Sequence, residues 1–120
     1  MRLAPVYDGR DARGRPFAKR DAVAPEVVND LLEYLESAPL VLAARSFGAD
    51  EFVPADVDVP LTFRTDGVWI WGGVVAHYLR KHGLPPAPEL VSHIVSRNFE
   101  VGTVDEAAKK SAVQMVTGGG

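Results

Sequence analysis

An α+β fold is what this sequence predicts: a small antiparallel sheet centred on a hairpin at 61–71, packed against three to four helices. Three observations carry that prediction. Apolar residues recur with helical period at 25–37, an Asp-Gly pair divides two alternating apolar runs at 61–71, and glycine and proline punctuate further helical stripes over 73–116. With 120 residues the chain has room for one core, taken as a single domain over 1–117 with a disordered tail at 118–120.

The first helix, at 25–37, opens on Pro25, whose missing N–H has no helical acceptor in the first turn. Glu26 sits where the positive end of the helix dipole favours it. Val27, Val28, Leu31, Leu32 and Leu35 form one apolar stripe, Asp30, Glu33 and Glu36 face outward, and Pro39 ends the element. No base offsets that outward face, although i,i+4 pairs would have been available. Leu40 to Ala44 is either a buried strand or a helical turn, and periodicity does not choose.

The hairpin follows from Asp66-Gly67, which accept positive φ in a two-residue loop. That loop pairs Thr65 with Val68, Arg64 with Trp69, Phe63 with Ile70 and Thr62 with Trp71. Leu61, Phe63, Val68 and Ile70 then face the core, and Arg64 lies over an indole on the face of Trp69 and Trp71. That second face is either covered by the following helix or is a binding surface. Gly72-Gly73 turns the strand into a helix closed by Gly83, Pro88-Glu89 starts another, and Thr103 to Glu106 fits a capping box for a last helix at about 104–116. Residues 1–20 read as a basic arm or loose hairpin, and 46–60 as an acidic loop.

Composition excludes more chemistry than it suggests. There is no cysteine, and so no disulfide, thiolate metal site or cysteine nucleophile. No apolar run is long enough to span a bilayer and the first residues lack a signal-peptide stretch, so no membrane role and a cytoplasmic address are expected. His77 and His82 lie five apart, across the helix from one another, and no HExxH occurs, so no metal site is read. His93 beside Ser92 is adjacency rather than a dyad, and no glycine-rich loop cradles a phosphate. No catalytic residue and no cofactor are implied.

Charge is segregated. Residues 1–20 hold Arg2, Arg10, Arg13, Arg15, Lys19 and Arg20 against Asp8 and Asp11, whereas residues 21–60 hold nine acids against Arg45 alone. The bland reading is a well-solvated surface, with the arm folded onto its own domain's acids. The sharper reading is a surface that attracts a basic protein and repels nucleic acid. On it the partner-binding residues are Glu26, Asp30, Glu33 and Glu36 of the helix and Asp50, Glu51, Asp56 and Asp58 of the loop. Phe47 and Phe52, which flank Asp50-Glu51, are aromatic anchors or else plugs holding the loop to the core.

Thr65-Asp66-Gly67-Val68-Trp69-Ile70-Trp71, followed by Tyr78-Leu79-Arg80-Lys81-His82-Gly83-Leu84-Pro85, resembles a group of small bacterial proteins with a TDG-x-W-x-W hairpin leading into a helix that ends Y-(L/V)-x-x-H-x-(L/V)-P. Several of these resemble immunity partners of secreted polymorphic toxins, each of which blocks one cognate toxin domain inside the producing cell. The resemblance implies a non-catalytic intracellular inhibitor whose partner is a cognate toxin domain. It transfers no contact residue. Gly72-Gly73 departs from it, standing where proline or a better helix former is expected. Two other classes are carried beside it: a small-molecule-binding or enzymatic domain using the Trp69/Trp71 face with Arg64 and a histidine, and a structural module that oligomerises, as a homodimer for instance, through that face.

Overall fold

A computed structural model describes residues 1–118 and shows an α+β fold. In chain order the strands are β1 (Arg2–Leu3), β2 (Gly9–Arg10), β3 (Pro16–Phe17), β4 (Leu40–Leu42), β5 (Phe47–Gly48), β6 (Val59–Pro60), β7 (Phe63–Thr65) and β8 (Trp69–Gly72). The helices are α1 (Pro25–Ser37), α2 (Gly73–His82), α3 (Pro88–Ser96) and α4 (Glu106–Thr117). The main sheet runs β1-β8-β7-β4; β4, β7 and β8 are antiparallel, and β1 adds in parallel beside β8. The arm is a hairpin, β2 with β3, and the 46–60 segment is closed by a short ladder between β5 and β6.

The hairpin forms with a different register from the one its sequence predicts. Thr65 pairs with Ile70, Arg64 with Trp71 and Phe63 with Gly72, so four residues, 66–69, make the loop. The Asp66 side chain imposes this. Its Oδ1 accepts the amides of Val68 at 2.9 Å and Trp69 at 2.8 Å, while Thr65 Oγ1 accepts the Gly67 amide and donates to the Trp69 carbonyl. A side chain that gathers the amides two and three residues on competes directly with the two-residue turn.

The slip of two preserves strand parity, but the core lies on the other face. Trp69 and Trp71 are buried with Leu31, Leu32, Tyr34 and Leu35 of α1, Val75, Ala76 and Leu79 of α2, and Leu90 and Ile94 of α3. Of the residues expected inside, Leu61 and Val68 are exposed and Phe63 is half-buried, whereas Ile70 is fully buried. Trp71 stacks on Tyr34 with ring centroids 5.8 Å apart and donates Nε1–H to the Leu35 carbonyl at 2.8 Å. Arg64 covers no indole. It donates to the Ala38 carbonyl at 2.6 Å and so satisfies an orphan acceptor at the end of α1. Arg2 lies over Trp69 instead, 4.3 Å from the ring centroid.

Other local expectations need correction. Leu40–Leu42 is a strand, but both leucines are exposed. The cap of α4 is Asp105, accepting the Ala108 amide, rather than Thr103. Gly118 ends α4 in the left-handed region at φ 64°, so it belongs to the helix cap; 119–120 of the expected tail lie outside the described residues. No helix among the described residues is long and apolar enough to cross a membrane.

Close packing explains Gly73. A Cβ there would stand 2.7 Å from Thr62 Oγ1 and 2.9 Å from Pro60 Cβ. Gly73→Ala should therefore destabilise the fold by about 1–3 kcal/mol in urea unfolding, although alanine is the better helix former. An unchanged or raised midpoint would contradict this close approach of α2 to the 60–62 segment.

Candidate functional site

Two buried aspartates organise the polar interior, and they share a design. In each, Oδ1 accepts the backbone amides two and three residues on, while Oδ2 gathers side chains from distant elements.

Asp50 is one of the acids expected on the partner-binding surface, yet it is fully buried. Its Oδ1 accepts the amides of Phe52 at 2.8 Å and Val53 at 3.2 Å. Its Oδ2 lies 2.7 Å from His82 Nε2, 3.2 Å from His77 Nε2 and 3.4 Å from Lys81 Nζ. Burial alone would push this carboxyl up. The hydrogen bonds from His82, the Phe52 amide, His77 and the Val53 amide outweigh it and hold Asp50 well below the usual carboxylate range. The two histidines, read as pointing apart, therefore meet. Residues 77 and 81 form one i,i+4 row of α2 and residues 78 and 82 the next, and Asp50 reaches the groove between the rows from outside the helix. Helical spacing alone could not reveal a convergence that a third residue creates.

The remaining loop acids are neutralised from within. Lys81 Nζ donates to Asp56 Oδ2 and Asp58 Oδ2, each at 2.8 Å, which holds the ammonium pKa up and Asp58 down. Asp58 Oδ1 also lies 3.3 Å from His77 Nε2. Glu51 takes Arg10 of the arm at 2.9 Å. Phe52 packs edge-on against Tyr78 at 5.1 Å and His82 at 5.1 Å, with Tyr7 at 6.2 Å, so its ring fastens the loop to α2. Phe47, in β5, is the more exposed of the two aromatics at 55%. Among the described residues, Asp50, Asp58 and His77 are the group that could hold a metal ion: one ligand atom from each lies within 4.8 Å of the others.

Asp66 is the second centre, and no reading of the sequence gave it a role beyond the turn. Its Oδ2 accepts the Tyr34 hydroxyl at 2.5 Å and lies 2.8 Å from His93 Nε2 and 3.5 Å from Arg97 Nη1. Burial raises its pKa, but the Trp69 amide, the Tyr34 hydroxyl, the Val68 amide and His93 together lower it further than burial lifts it. Asp66 thereby ties the hairpin loop to α1 and α3. His93 also lines an open groove of about 520 Å³ with Arg2, Trp69, Glu89, Ser92 and Ser96.

The acidic block of the sequence thus divides in two. Glu26, Asp30 and Glu33 lie exposed along α1 at i, i+4 and i+7, with no ion-pair partner among the described residues. Glu36, on the same helix, is held by Arg80 through two bonds of 2.6 and 2.5 Å, and its pKa falls accordingly. Trp71 is fully buried, whereas Trp69, at 4% exposure, still borders the open groove beside His93. Arg64 and His77 lie at separate places in the fold, one at the end of α1 and one at Asp50, and neither lines the groove beside Trp69. Compared with protein-family models, curated proteins and solved structures, the chain matches none.

Proposed function

We propose that this chain is a non-catalytic immunity protein that occludes a basic face of a cognate toxin domain, with the carboxylate stripe of α1 as the surface that steers the encounter. One observation carries the reading: Glu26, Asp30 and Glu33 are the members of the acidic block that stay exposed and unpaired on a helix whose opposite side is fixed in the core. Carboxylates held on a rigid, buried-backed helix need little reordering when a cationic partner arrives. The loop acids contribute less than their number suggests, because Lys81, Arg10 and the histidines already occupy them. Phe47 is better placed than Phe52 to act as an aromatic anchor, since Phe52 is spent on Tyr78 and His82.

Co-expression tests the reading. On this reading a toxin C-terminal domain is encoded beside this chain; cells producing that domain should regain growth when the chain is supplied, and a complex should co-purify. Continued toxicity with the chain well expressed would contradict the proposal, as would turnover of a substrate by the purified chain alone.

A further inference from the structure

We infer that His77, Asp50 and Asp58 form a binding site for one divalent transition-metal ion of the zinc class, which clamps the 46–60 segment onto α2. The ligand atoms are His77 Nε2, Asp50 Oδ2 and Asp58 Oδ1, all within 4.8 Å of one another. Four ligands about 2.0–2.1 Å from zinc define a tetrahedron with edges of about 3.3–3.4 Å. His77 Nε2 stands 3.2 Å from Asp50 Oδ2 and 3.3 Å from Asp58 Oδ1, close to two such edges. An imidazole N–H shared between two oxygens at these distances makes a long, bent bond to each, whereas a metal placed among the three atoms binds all of them directly.

The surroundings fit a metal site as well. Each carboxylate has its other oxygen already held: Asp50 Oδ1 by the Phe52 and Val53 amides, and Asp58 Oδ2 by Lys81 Nζ. Ligating carboxylates fixed through their second oxygen are a general feature of metal centres. His82 Nε2, at 2.7 Å from Asp50 Oδ2, is too close for a tetrahedral edge and acts as a positioning residue for Asp50. Charge points the same way: Asp50, Asp56 and Asp58 face Lys81 as the one permanent cation, which leaves two negative charges for a dication to neutralise. One nitrogen with two carboxylate oxygens favours zinc-like ions over calcium or magnesium. Asp58 is half-exposed, which gives the ion a way in and leaves a fourth position for water.

Isothermal titration with Zn²⁺ alone, on the full chain carrying no histidine tag, tests this. One ion per chain should bind saturably. Asp58→Asn and His77→Gln should each weaken binding by at least about tenfold, and His93→Gln should leave it unchanged. Circular dichroism establishes that each variant is folded. Absence of saturable binding to the folded wild-type chain would overturn the site, as would binding that persists in both ligand variants or is displaced by equimolar Ca²⁺.

Discussion

Asp66→Ala should destabilise the protein by about 3–5 kcal/mol, a large part of the roughly 5–15 kcal/mol that holds a small domain together. The substitution strands the Trp69 amide and the Tyr34 hydroxyl, both buried, and releases His93 and Arg97 from the hairpin loop. Each stranded buried donor costs about 1–3 kcal/mol. Urea unfolding would measure the loss, and a change under about 1 kcal/mol would mean that Asp66 is not the tie between hairpin, α1 and α3. The effect carries a pH signature. The folded-state pKa of Asp66 is depressed, so its ionised form contributes stability that is complete above the unfolded carboxyl's pKa of about 3.9 and fades as pH falls below it. The gap between wild type and Asp66→Ala should therefore narrow on acidification from about pH 5 to pH 3. Asp50, depressed in the same direction, adds to the acid sensitivity of the wild-type fold.

Trp71→Ala should cost a similar amount, about 3–5 kcal/mol, by opening a cavity where α1 and α2 meet the sheet. Trp71 has no exposed surface, stacks on Tyr34 and donates to the Leu35 carbonyl. Trp71→Phe should fall between wild type and alanine, since it keeps most of the packing and loses the indole hydrogen bond. Equilibrium unfolding of the two variants gives the ranking. A nearly neutral Trp71→Ala would contradict a core built on the tryptophan face of β8.

The helices were legible because each one's signals are local. Pro25 and Pro39 bracket α1, Gly83 supplies the left-handed cap of α2 at φ 68°, and Pro88 starts α3. The hairpin was legible as a hairpin, but its register was not. Asp66-Gly67 suits a two-residue turn, and only the side chain's hold on the Val68 and Trp69 amides favours the longer loop. The core-facing side was legible in part: Ile70 is fully buried as expected, but Leu61 and Val68 are exposed and the two indoles carry the main core once helices arrive to cover them, and that arrival is a tertiary event. β1 was invisible because a two-residue parallel strand has no pattern of its own.

The candidate surface was half legible. Acidity at 21–60 is plain in the sequence, and the exposed stripe of α1 follows from its period. The pairing of Glu36 with Arg80, of Glu51 with Arg10, and of Asp56 and Asp58 with Lys81 joins residues at least 23 positions apart, which no local pattern encodes. Asp50 shows the limit most clearly: its neighbours mark it as a loop acid, yet the fold buries it as the acceptor that joins two histidines.

The most direct test of the functional account is the association rate of the wild-type chain and a Glu26→Lys/Asp30→Lys/Glu33→Lys variant with the cognate toxin domain that the proposal calls for, measured across ionic strength. Exposed charges steer encounters at low salt and are screened within about 8–10 Å near physiological salt. The wild type should associate about tenfold or more faster than the variant at low ionic strength, and the two should converge as salt rises. Equal rates and equal salt slopes for two folded proteins would contradict the claim that the α1 carboxylates guide a basic partner.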